Sequence, residues 1–311
     1  MDNCVCTIIT RDYVPWAKAL HQSLLSNSDG EVVMYVFVAT QREECSELTS
    51  TTHFRFLFLE DLCLSGLGQR IKEKYYTSYM DGFRWSMKPV LINHLLTPHS
   101  KVLYLDCDLF FYSDYSFLFE KLNSSSVLLT PHWRSSNPEA DPRNFHLQYN
   151  SGLFNGGFVG ANRSATPIME WWARACEFIC VKDQSRGHFV DQTHLNLLPV
   201  FFDNVEILKH RGCNVASWNR YECQRVRIAS GEVLINGVYP IVFVHFTGST
   251  IRNIIMGTDA ELTMHLEKFS NTLKEFGWED IIKKTTLRMA EKRKGGLRKK
   301  VKKTIKKILG W

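Results

Sequence analysis

The chain has 311 residues, of which 44% are hydrophobic, 23% charged and 13% aromatic, a composition that excludes disordered and fibrous classes and is enough for a substantial core. Its formal charge of +6 is unevenly placed: residues 281–311 hold 13 Lys and Arg against one Glu, which leaves the first 280 residues at −6. The basic character therefore belongs to a tail and not to a nucleic-acid-binding body, and no run approaches the ~20 apolar residues that cross a bilayer.

In chain order, Val5–Thr10 and the continuously apolar Val32–Ala39 read as strands, separated by Trp16, Leu20, Leu24 and Leu25 at helical spacing before the break at 27–30. Strand, helix and strand in close succession predict a parallel pair joined by a crossover helix. Phe54–Leu59 is a further short strand, Lys88–Leu96 a helix ending before Pro98, and Val102–Leu105 a buried strand. Leu109–Tyr112 continues the apolar character, so that the strand's end is open. Val127–Thr130 and Phe158–Ala161 are expected in the same sheet, and Met169–Cys180 as a helix with Met169, Trp172, Ala173, Cys176 and Ile179 on related turns. Pro131–Asn150, with three prolines, reads as a surface excursion, either an acceptor-selecting insertion or a plain solvent loop. No internal repeat or inter-domain linker is visible.

The nine cysteines form no repeated framework and the first eleven residues do not read as a secretory signal, so reduced cysteines in a cytoplasmic protein are expected, many of them small apolar residues.

Leu103–Asp108, LYLDCD, sets two carboxylates directly after an apolar run. In an extended segment residues i and i+2 point to one side, so Asp106 and Asp108 can reach one hard divalent cation, Mg²⁺ or Mn²⁺, and through it a diphosphate. The pair also falls at the carboxyl end of an expected parallel strand, where open α/β sheets collect ligands.

Around that pair stand TIITRDYVPWAKALHQSL (7–24), WSMKPVLINHLL (85–96), KVLYLDCDLFF (101–111), YNSGLFNGGFVGANRS (149–164), FVDQTHLNLLP (189–199), NVASWNR (214–220) and FVHFTGS (243–249). This ordered set resembles the retaining glycosyltransferases of family 8 and their close relatives of the GT-A fold, over roughly residues 4–250. The resemblance implies an α/β class protein: a single Rossmann-like nucleotide-sugar-binding domain over 1–270 with a central, mostly parallel sheet, followed by a basic amphipathic C-terminal helix in 281–311.

The resemblance further implies metal ligation by Asp106, Asp108 and His245. His245 ends the apolar run Ile241–Val244 and precedes the turn through Gly248, where a ring nitrogen can meet cation and phosphates. Tyr13 offers an aromatic face to a nucleobase, uracil by family weight with guanine left open, and Thr10 stands where the family has an acidic residue. Lys88 falls at a basic donor-binding position, the alternative being the exposed face of its helix. Asn155 and Gly156, with Gly157, line the donor sugar, the structural alternative being a tight turn into the following strand. Asp191 and Gln192 match the family's Asp-Gln pair: Asp191 orients hydroxyls and Gln192 presents its carbonyl oxygen near the anomeric carbon. The family-like 214–220 segment places Trp218 and Asn219 beside the acceptor, a saccharide or lipid-linked glycan, the alternative for Trp218 being a place in the core.

In the tail, Leu297, Val301, Ile305, Ile308 and Leu309 recur on one helical face among lysines and arginines, a pattern suited to an anionic membrane surface. No nucleic-acid reader motif accompanies it. The expectation is a peripheral enzyme on the cytoplasmic face of a membrane, using a nucleotide diphosphate sugar; the contrasting class is an inactive GT-A protein that only binds carbohydrate or nucleotide.

Overall fold

A computed structural model describes residues 3–28, 30 and 32–291 of the chain. The chain opens with strand β1 (Asn3–Ile9), crosses over through the helix Val14–Leu25, and returns parallel to β1 as β2 (Val33–Val38), followed by β3 (Phe54–Leu57) parallel to β2. After four helices, the last being Lys88–Leu95, β4 (Lys101–Leu105) pairs with the other side of β1, also parallel. A short β5 (Leu109–Phe111) leaves the sheet; β6 (Val127–Pro131), β7 (Phe154–Asn162) and β8 (Val205–Ile207) rejoin it. The sheet order is β8-β6-β7-β4-β1-β2-β3, and β7 alone runs against its neighbours β4 and β6.

The apolar runs make this a sheet covered on both faces. Cys4, Cys6 and Ile8 of β1 enter the core beneath the helices Lys88–Leu95 and Thr166–Phe178, while Val5 and Ile9 enter the opposite core with the helix Val14–Leu25. The period-two alternation of a strand thus divides one buried segment between two cores. A third core gathers Trp16, Phe110, Val244, Phe246, Phe269 and Leu273 and extends to Ile281, so that packing continues past residue 270 into the beginning of the basic segment. Residues 281–291 are helical; the remainder of the expected tail helix, 292–311, lies outside the described residues.

One open point is resolved and two expectations change. Leu109–Phe111 is not a continuation of β4: it pairs antiparallel with β9 (Phe243–His245), outside the main sheet. The strand expected at Phe158–Ala161 begins four residues earlier, so Gly156 and Gly157 lie within β7 and not in a turn before it. The Pro131–Asn150 excursion holds a helix, Pro142–Ser151, because Pro142 takes the first helical position and the Asp141 side chain accepts from the Asn144 N–H at 3.1 Å. All nine cysteines are unpaired, and eight are buried. Among the described residues no helix is long and apolar enough to cross a membrane.

Candidate active site

The chain leaves β1 toward β2 on one side while β4 lies on the other, so a crevice opens at the carboxyl ends of β1 and β4. There lies a cleft of about 600 Å³, lined among others by Asp12, Tyr13, Lys88, Asp106, Asp108 and Gly248. That volume is in the range of small-molecule sites.

Asp106 and Asp108 are placed by a turn and not by an extended strand. The Leu109 N–H donates to the Asp106 carbonyl at 3.0 Å, closing the chain between β4 and β5. The Asp106 N–H is held by the Gly157 carbonyl, and the Asp108 carbonyl accepts from the Phe246 N–H, both at 2.8 Å. Because β5 pairs with β9, His245 stands opposite Leu109 and its Nε2 lies 3.0 Å from Asp108 Oδ1. The ligand atoms of Asp106, Asp108 and His245 all fall within 4.8 Å of one another.

The surroundings of this trio orient its ligand atoms toward one another. Asn214 Oδ1 lies 3.0 Å from His245 Nδ1, which fixes the proton on Nδ1 when the ring is neutral and leaves the Nε2 lone pair toward the carboxylates. Asn214 is itself held by Thr130, at 3.0 Å, and adopts a left-handed backbone with φ of 61°. Gly157 leaves the necessary room: a Cβ there would stand 2.6 Å from His245 Cε1 and 3.0 Å from Asp106 Oδ2. Burial disfavours a charged His245, but Asp108 and then Asp106 outweigh it and raise its pKa. Burial likewise opposes charge on Asp108, and His245 overcomes it and lowers that pKa. Two carboxylate oxygens and one imidazole nitrogen suit Mn²⁺ or Mg²⁺, so the residues present fit the expected ion.

Behind the trio, the buried Lys88 Nζ lies 3.3 Å from Asp106 and 3.2 Å from Asp191, and donates to the Gly156 carbonyl at 2.9 Å. Burial works against its charge, and Asp106 and Asp191 more than restore it. Asp191 is pushed up to about 6, first by burial and further by Asp106, with Lys88 opposing. Tyr104 donates its hydroxyl to Asp106 at 2.7 Å.

Gln192 is committed at both ends. Its Oε1 accepts from the Gly156 N–H at 3.0 Å and from Asn155 Nδ2 at 3.3 Å, and its Nε2 donates to the Ser151 carbonyl at 2.6 Å. Val190, one residue before Asp191, has φ of 51°, a costly conformation for a β-branched residue that sets the direction of the Asp191–Gln192 step.

The other expected residues are distributed as follows. Tyr13 is in the cleft, its ring 5.6 Å from Trp16 and 5.8 Å from Trp278. Thr10 binds Asp12 through its hydroxyl and is not part of the cleft lining. Trp218 meets His132 and His245 edge-on, whereas Asn219 is fully buried and spends its amide on the 214–225 loop. Sequence reasoning passed over Asn214 and His132. His132 Nδ1 lies 2.8 Å from the Gly152 carbonyl, and burial, with Arg134 adding to it, holds the ring neutral with its pKa lowered to about 3. It missed as well the cleft-lining Arg84, Trp278, Lys284 and Arg288. The asparagine had one signal, its position in the quoted 214–220 segment; the others had none.

No protein-family model matches the chain. Among curated proteins it is 27% identical over 267 residues to YfnF of Bacillus subtilis (strain 168), covering 82% of this chain and 84% of that one, and 28% identical over 253 residues to YfnD of the same organism, covering 79% and 77%; both are described as uncharacterized. Among solved structures it is similar to mouse xyloside xylosyltransferase 1 in its apo form, with a TM-score of 0.50 at 14% identity over 80% of this chain and 99% of that one. The likeness is one of fold: the mostly parallel seven-stranded sheet between two helical layers is the GT-A architecture of glycosyltransferases.

Proposed function

We propose that the protein is a metal-dependent, retaining glycosyltransferase that moves a hexose from a nucleotide diphosphate sugar, UDP-sugar favoured, to a saccharide or lipid-linked glycan of the lipopolysaccharide or surface-glycan kind. The observation that carries this reading is the convergence of Asp106, Asp108 and His245 within 4.8 Å, beside the cleft that the two carboxylates line. These three residues would hold Mn²⁺ or Mg²⁺, which when bound supplies Lewis-acid neutralisation of charge on the departing diphosphate.

The rest of the site acts through the chain's own groups. Tyr13 offers a face to the base and Gly248 gives the phosphates close approach to backbone. Lys88, fixed between Asp106 and Asp191, keeps a positive charge beneath the place of bond breaking. Asn155 and Gly156, held by Gln192, shape the wall for the sugar, and Trp218 with neutral His132 forms the acceptor side.

The geometry favours same-face displacement over a covalent intermediate. Asp191 is buried and neutralised by Lys88, and both polar ends of the Gln192 amide are engaged, so neither is a free nucleophile. The bond from the anomeric carbon to the phosphate oxygen breaks, the acceptor oxygen bonds the same face, and the acceptor proton passes to the leaving phosphate oxygen. The tail beyond residue 291, with its lysines and apolar stripe, would hold the enzyme on an anionic membrane surface.

The test is to offer UDP- and GDP-sugars with and without Mn²⁺, following diphosphate release and glycan product together. Metal-dependent transfer with retained configuration is expected. Metal-independent transfer overturns the assignment of Asp106 and Asp108, a sugar trapped on Asp191 overturns the same-face route, and binding without turnover points to a protein that only holds the donor.

A further inference from the structure

Residues 281–291 form a helix whose first turn is capped by Asp280: its Oδ1 accepts from the Ile282 and Lys283 N–H groups, both at 3.0 Å. Its root is fixed, because Ile281 is buried in the third core and Trp278 packs at 5.8 Å from Tyr13 and 5.9 Å from Trp16. Lys284, Thr285 and Arg288 follow Ile281 at three, four and seven residues, and so lie on the face that Ile281 anchors to the body.

That face has inverted polarity. A helix packed on a globular body turns its apolar stripe inward, yet Leu287 is 56% exposed on the outside while Lys284, Thr285 and Arg288 line the cleft of Asp106 and Asp108. Of the cleft's other cations, Lys88 is held between Asp106 and Asp191, and Arg84 pairs with Asp81. Lys284 is steered over the Trp278 ring, 5.5 Å away, and pairs with the exposed Glu279, a contact that a polyanion can displace, while Arg288 makes no ion pair among the described residues. Cations held at the rim of a cleft that also carries Tyr13 and a divalent-cation trio match a ligand with an aromatic base and a polyanionic chain.

We propose that Lys284 and Arg288 bind the diphosphate of the donor, so that the helix after Trp278 is a wall of the nucleotide site. This rests on the donor reading given above. The experiment is calorimetric titration of UDP, and of GDP, in the presence of Mn²⁺ into the full chain, the double variant Lys284→Ala/Arg288→Ala, and Lys283→Ala, which removes an exposed charge from the same helix outside the cleft lining.

The double variant is expected to melt at the wild-type temperature and to bind the nucleotide at least about tenfold more weakly, each charge-assisted contact being among the stronger ones available, while Lys283→Ala stays within about twofold. Equal nucleotide affinity of wild type and double variant overturns this inference and leaves the donor reading standing. Failure of the wild type to bind either nucleotide overturns both. If the double variant keeps nucleotide affinity but loses binding to phosphatidylglycerol vesicles, the two cations serve a lipid surface and the inference falls.

Discussion

Gly157 and His245 stand so close that a single methyl group cannot fit between them: a Cβ on Gly157 would lie 2.6 Å from His245 Cε1, and also 2.8 Å from Asn155 Oδ1. Gly157→Ala therefore has to displace the imidazole, or the Asn155 and Asp106 oxygens beside it, and so disturb the trio. Overpacking of this kind costs about 1–3 kcal/mol. Mn²⁺ affinity, read by paramagnetic resonance titration, is expected to fall by about 10–100-fold; unchanged affinity would mean that the trio does not hold the ion.

Asn214 combines a left-handed backbone with a hydrogen bond to His245, and two substitutions separate these roles. Asn214→Gly keeps the backbone conformation and loses the bond; Asn214→Ala loses both. Both are expected to weaken Mn²⁺ by about tenfold or more, while only the alanine variant carries the added strain of about 1–2 kcal/mol. Urea denaturation beside metal titration distinguishes the two effects.

His265 gives a pH dependence apart from the metal trio. Burial, reinforced by Lys268 and Arg227, lowers its pKa from 6.5 to about 4. The unfolded chain binds this proton more readily than the folded one, so the residue's contribution to stability is complete above pH 6.5 and is lost as pH falls toward 4. In melting curves between pH 7 and 4, His265→Leu is expected to lose stability less steeply than wild type; parallel profiles would show that His265 does not titrate in this window.

Truncation separates the basic segment into two parts. Cutting after Glu291 removes ten Lys and Arg and leaves the helix that lines the cleft. Co-sedimentation with anionic vesicles is expected to drop while UDP binding persists; cutting after Asp280 is expected to abolish both. Undiminished vesicle binding after the shorter cut would defeat the membrane role of 292–311.

The sequence made the central strands legible because β1, β2 and β4 are buried on both faces and so carry unbroken apolar runs. It also brought Asp106, Asp108 and His245 together, though for an incomplete reason: a turn and the β5–β9 pairing join them, not the side-chain period of one strand. Strand direction was not legible, since period-two alternation is the same for β7 running either way. The helix at Pro142–Ser151 was hidden by its own start signals, Asp141 and Pro142, which also read as breakers. The inner face of the 281–291 helix was missed because its charges resemble those that follow, and only the burial of Ile281 separates the two.

The packing of Trp278 on Tyr13 and Trp16 joins segments from opposite ends of the described chain. On the ribosome, the sheet and the carboxylates of the Asp106–Asp108 turn emerge long before Trp278 does. Until then the cluster of Tyr13 and Trp16 lacks its third ring and the cleft one wall. Chains stopped before Trp278 would carry Asp106 and Asp108 without the ring that packs on Tyr13 and without Lys284, Thr285 and Arg288, which line the same cleft.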